Sequence, residues 1–141
     1  MISEQIADFI LASDCAALPE SVRAVARRSL LDWAGSALRG SIEPPARMMT
    51  DLARAEGGRP RATALPDGWK TPVEWASRIN AVASHTVEVD DLHPSSALYP
   101  AAPGMSDAAA VLEALAATGC ELVQAITVGY EVAVRSGEAA G

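Results

Sequence analysis

The sequence predicts an all-α protein, a compact bundle of about six helices, and three observations carry that expectation. Apolar residues recur at intervals of three and four along most of the chain. Half of the residues are hydrophobic, yet aromatics make up only 4% and alanine is abundant, which suits closely packed helices better than a β-sandwich. Proline, glycine and Thr-x-x-Glu signatures punctuate the chain at helix-length intervals. A length of 141 residues is one domain's worth of chain and is enough to bury a real core.

The first helix is expected over Ser3 to Ala12, with Ser3 as N-cap and Ile6, Phe9 and Ile10 on one face. Leu18-Pro19-Glu20 opens a longer helix whose apolar stripe is Val22, Val25, Ala26, Leu30, Leu31, Trp33 and Ala34, ended by Gly40. Asp32 falls within that stripe, where a buried acid would need a hydrogen-bond donor. A third helix covers Pro44 to Ala55 and stops at Gly57-Gly58. The segment GGRPRATALPDGWK has no period and reads as loop, with a short extended piece at Arg61 to Leu65. Thr71-Pro72-Val73-Glu74 is a capping box with proline at the first helical position; the fourth helix then carries Trp75, Ile79, Val82 and Val87 toward the core. Pro94 pushes His93 out of the α region, so this helix should stop near Leu92. Ser106-Asp107 caps a fifth helix through Ala117, and Thr118-Gly119-Cys120-Glu121 starts a sixth that runs to about Ser136, with Gly137 to Gly141 frayed.

Composition excludes several function classes. A formal charge of −7 argues against a nucleic-acid or anionic-membrane surface. No apolar run approaches the length of a membrane span, and MISEQIADFILASD lacks the basic n-region of a secretory signal, so a soluble, cytoplasmic protein is expected. Cys15 and Cys120 have no metal-site spacing and read as buried small apolar residues rather than a disulfide pair. Lys70, the single lysine, falls in the loop.

One stretch concentrates chemistry. HTVEVDDLHPSSALYPAA, from His85 to Ala102, holds both histidines and the carboxylates Glu88, Asp90 and Asp91. On the expected helix these acids occupy the last turn, where the macrodipole disfavours negative charge by roughly 0.3–1 kcal/mol each. Glu88 and Asp91 would be repelling i,i+3 neighbours. Acid runs at helix ends are often only solvated. Here the apolar, small flanking residues and the two nearby histidines favour a proton-transfer or ligand site. Arg135 could bind a carboxylate bidentately or pair with Glu131 one turn back.

Three segments together resemble the MmgE/PrpD family, whose best-known members look like 2-methylcitrate dehydratase. LPESVRAVARRSLLDWAGSALRG is similar to the family's N-terminal helix. INAVASHTVEVDD resembles its asparagine, histidine, acid-x-Asp-Asp motif, here Asn80, His85, Glu88, Asp90 and Asp91. TGCELVQAITVGYEVAVR resembles its closing segment, here Gly129, Tyr130, Glu131 and Arg135. The resemblance implies an all-helical domain, usually dimeric, that uses no metal or organic cofactor. It also implies proton removal next to a carboxylate, followed by loss of water, loss of carbon dioxide or epimerisation. Family chains continue into a mixed α/β domain bearing a lysine and a histidine of the site, so residues 1–141 are expected to be a single helical domain, truncated relative to the family. Leu98-Tyr99-Pro100 stands where the family often has Leu-His-Pro, and Glu88 where many members have aspartate. Tyrosine donates a proton or hydrogen bond but is a poor base at neutral pH.

The leading expectation is therefore a small lyase- or isomerase-type enzyme doing cofactor-free acid/base chemistry on a carbon acid less charged than a tricarboxylate. Glu88, Asp91 and Tyr99 are the expected catalytic residues, and His85, His93 and Arg135 bind or orient the substrate. The alternative is a non-catalytic helical module that forms a homodimer or completes a complementary family chain. A weaker alternative is a metal site of His85, Glu88, Asp91 and His93.

Overall fold

A computed structural model describes residues 1–65 and 67–140. There are six helices among the described residues, α1 (Ile2–Ala12), α2 (Glu20–Gly40), α3 (Pro44–Glu56), α4 (Val73–His85), α5 (Ala101–Ala114) and α6 (Gly119–Ala140), and α2 to α6 pack around small side chains. One cluster joins Ala26 and Trp33 of α2, Ala101 and Met105 of α5, and Val123 and Ile126 of α6. A second joins α2, α3 and α4 through Ala37, Ala46 and Ala83. Alanine at these contacts lets helix backbones approach closely. At Gly40 the approach is so close that a Cβ would overlap the Ala83 carbonyl. Trp33 is 3% exposed, and its indole N–H donates to the wholly buried Ser106 hydroxyl at 3.0 Å.

The all-α expectation holds, with one addition. A two-stranded antiparallel hairpin, β1 (Ala62–Ala64) with β2 (Trp69–Thr71), lies beside α4. Asn80 of α4 holds it, accepting from the Leu65 amide at 2.8 Å and donating to the Thr63 carbonyl at 3.0 Å. Glu113 of α5 accepts from Thr63 and pairs with Lys70, which is thus a strand residue rather than a loop residue. Pro66 and Gly141, expected in the loop and at the frayed end, lie outside the described residues.

Several expected boundaries move. The first helix starts at Ile2 with Met1 as cap, because Glu4 reaches back to the Met1 nitrogen. Val25 and Leu31 of α2 are 50% and 75% exposed, and Asp32 is exposed rather than buried in the stripe. Thr71 belongs to β2, so the cap of α4 is Pro72 and no side-chain capping bond forms. The helix starting at Ser106 in the sequence reading begins at Ala101. The Thr118–Glu121 box does form, with Thr118 N donating to Glu121 at 2.6 Å and Glu121 N donating to Thr118 at 3.3 Å.

The largest correction concerns α4, which stops at His85 rather than near Leu92. Thr86 bonds its hydroxyl back to the Val82 carbonyl, and Glu88 turns to φ +51°. A non-glycine residue in the left-handed region ends helical propagation. The acids therefore lie in a loop, and the macrodipole and i,i+3 arguments do not apply to them. Downstream, α6 continues to Ala140 instead of fraying after Ser136. Tertiary contact holds its last turns: a Cβ on Gly137 would sit 2.7 Å from Ser96 Cβ and 2.9 Å from Leu98 Cδ1, and Ser95 donates to Glu138 at 2.8 Å.

Cys15 and Cys120 form a disulfide, with Cα atoms 5.7 Å apart. A short 3-10 turn, Cys15–Ala17, thereby meets the first turn of α6. The bond corrects the expectation of two unpaired cysteines, since a separation of 105 residues carries no spacing signal. Among the described residues no helix is long and apolar enough to cross a membrane.

Candidate functional site

The loop from Thr86 to Pro100 leaves the end of α4 and returns to the start of α5. It is held by backbone bonds, by its own polar side chains and by α6. His93 and Leu98 exchange backbone bonds at 2.9 and 3.4 Å, closing a 3-10 turn, Pro94–Ser96, with Ala97 at φ +52°. The His93 ring takes part in this closure, its Nδ1 lying 2.9 Å from Ser96 Oγ. His93 also borders a largely apolar groove of about 400 Å³ between α2 and α6, lined by Val22, Val25, Ala26, Ile126 and Tyr130.

Asp91 is held at both oxygens. Oδ1 accepts from the Ala101 amide at 3.1 Å, and Oδ2 accepts from the Tyr130 hydroxyl at 2.7 Å. The first bond places a carboxylate at the N-terminus of α5, where orphan amides and the macrodipole favour it. Burial pushes the Tyr130 phenol far above its ordinary range, and the charge of Asp91 adds to the effect. The phenol thus stays a donor.

Asp90 is the most enclosed of the three acids, with a side chain 0% exposed. Its Oδ2 lies 2.9 Å from His85 Nδ1, and among the described residues Oδ1 has no partner. The His85 side chain is 49% exposed and meets the Tyr99 ring edge-on, with centroids 5.0 Å apart. The imidazole borders a shallow apolar hollow of about 340 Å³ lined by Ala81, Val82, Thr86, Ala102 and Pro103. One imidazole nitrogen is thus oriented by a buried acid while the ring faces a hollow, an arrangement suited to proton transfer.

The structure therefore groups His85 with Tyr99, sets Asp91 on Tyr130, and leaves Glu88 exposed on the left-handed turn. Glu88 and Asp91 do not stack on a helical face. Arg135 pairs with Glu131 and borders a different groove, between α1 and α6. Among the described residues no three His, Cys, Asp or Glu side chains gather into a metal-holding group, because His85 and Glu88 are not one helical turn apart. Asp90 and Tyr130 were visible in the sequence motifs but had no assigned role. Asp90 meets His85 across the turn that ends α4 and Asp91 meets Tyr130 at a separation of 39 positions, and periodicity encodes neither contact.

The chain matches the family model of the MmgE/PrpD N-terminal domain over residues 4–141. No curated protein matches it.

Proposed function

Since the chain belongs to the MmgE/PrpD family, which it matches over residues 4–141, we propose that it carries out lyase- or isomerase-type proton transfer on a carbon acid. The observation behind this reading is the His85–Asp90 pair: a half-exposed imidazole held at 2.9 Å by a fully buried carboxylate beside an apolar hollow. In this reading His85 Nε2 takes the proton from the carbon next to a carbonyl or carboxylate. The electron pair moves onto that oxygen, and the Tyr99 hydroxyl donates a hydrogen bond to it. Return of the proton on the other face gives isomerisation; expulsion of a β-hydroxyl gives dehydration. Asp90 holds the ring, and exposed Glu88 serves as the second acid/base group. Asp91 acts through Tyr130 by fixing the loop, and His93 closes the 3-10 turn of that loop through Ser96. Arg135 stays with Glu131. No cofactor takes part, and the setting is the cytoplasm.

Three carboxylates crowd the loop, and the chain carries a net charge of −7. The substrate in this reading is therefore less charged than a tricarboxylate. The test is solvent-deuterium exchange at the acidic carbon of small mono- and dicarboxylates, followed by NMR. His85→Gln should lower exchange by about 100-fold or more, and Tyr99→Phe by about tenfold or more. Asp90→Asn should reduce the rate and displace its pH profile. Equal rates in all three folded variants would overturn the proposal.

A second reading has its own observation. Leu31, Leu38, Ile42 and Met48 are 75%, 56%, 58% and 70% exposed along α2 and the start of α3. We infer that this face docks a second copy or a complementary family chain. Light scattering on the purified chain tests it, since a monomer at micromolar concentration with no partner in its coding neighbourhood contradicts it.

A further inference from the structure

We propose that the Cys15–Cys120 disulfide is a thiol–disulfide switch that decides whether α1 stays on the bundle. The bond sits where α1 is tied down. Residues 13–17 are fastened to the first turns of α6 by the disulfide and by one side chain, Gln124. Its Oε1 accepts from the Cys15 amide at 3.1 Å, and its Nε2 donates to the Ser13 carbonyl at 2.8 Å. Beyond that strap α1 contributes no buried residue. Leu11 is 83% exposed and Ile2 76%, and a hollow of about 520 Å³ separates Ile6 and Phe9 from Val132 and Ala139 of α6. A helix so thinly packed is stable where it lies only while its strap holds.

The two sulfurs are placed unequally. Cys15 is 4% exposed, whereas Cys120 is exposed in the first turn of α6. In the proposed switch an incoming thiolate attacks Cys120 Sγ, on the more exposed of the two residues. With a dithiol reductant, the first thiolate bonds to Cys120 Sγ, the S–S bond breaks, and Cys15 departs with the electron pair and takes a proton. The second thiol then attacks the mixed disulfide and releases Cys120. The protein gains two thiols and the reductant becomes a disulfide. A low-molecular-weight disulfide reverses the sequence by the same exchange. In a reducing compartment such bonds act as transient sensors rather than permanent staples, which fits the proposed cytoplasmic setting. Cys15 and Cys120 are absent from the lining of the His85 hollow, so the switch stands apart from the carbon-acid chemistry.

Hydrogen exchange read by mass spectrometry on the full chain provides the test, comparing the oxidised protein with protein treated with dithiothreitol. Reduction should speed amide exchange across residues 2–17 by about tenfold or more while α2 to α5 keep their protection, and oxidised glutathione should restore the slow pattern. The double variant Cys15→Ser, Cys120→Ser should show the fast pattern without reductant and ignore its addition. Three results would overturn the proposal: two free thiols after oxidation, unchanged exchange in residues 2–17, or loss of protection throughout the bundle on reduction.

Discussion

At the scale of single residues, the bundle depends on places where there is no spare volume and no spare hydrogen bond. Ser106 is wholly buried and serves the Trp33 indole. Ser106→Ala removes the acceptor and leaves a buried N–H unpaired, which should cost about 1–3 kcal/mol in urea unfolding. Gly40→Ala drives a methyl group into the Ala83 carbonyl and should cost at least as much, by forcing α2 and α4 apart. The sequence named Trp33 and Gly40 correctly as core and helix end. It could not show that Ser106 was the indole's partner, since that contact spans 73 positions. It ranks Asp91 above Asp90 in the acid motif on a helical spacing from Glu88 that the loop does not keep. Adjacent aspartates look alike as letters, and only the fold turns one onto His85 and the other onto Tyr130.

At the scale of elements, the helices announced themselves through period, proline and glycine, whereas their ends near the site did not. Proline at 94 disfavours helix at the residue before it and in the turn it would have to join, which does not reach back to His85. The actual stop of α4 comes from Thr86 and the left-handed Glu88, neither of which is a stop signal on its own. The strands were too short for alternation to register. The start of α5 depends on the chain Tyr130, Asp91, Ala101, which links α6 through the loop to the first amide of α5. Tyr130→Phe should loosen that end and cost about 1–2 kcal/mol. The sign of its pH dependence follows from the raised phenol pKa. The stabilisation is complete below the ordinary tyrosine range near pH 10 and is lost as pH rises above it toward the higher folded value. Alkaline unfolding monitored by circular dichroism should be steep in the parent protein, and shallower in Tyr130→Phe.

At the scale of the whole molecule, alanine cores leave large apolar side chains on the outside. Leu31→Glu with Leu38→Glu should change unfolding free energy by no more than about 0.5 kcal/mol each, because both side chains are mostly exposed. The same pair should abolish any self-association seen by light scattering. Fold class and family were legible because they are written in local pattern over the whole chain. The disulfide and the outward apolar face were not, because both depend on which distant surfaces the bundle brings together. The seat of α6 on the His93 turn carries a last consequence. With Gly137 pressed against Ser96 and Leu98, the final helix works as the jaw of a clamp on the segment that bears Tyr99. Gly137→Ala would act as a wedge there, and in the proposed carbon-acid reaction it should slow deuterium exchange without touching any reacting group.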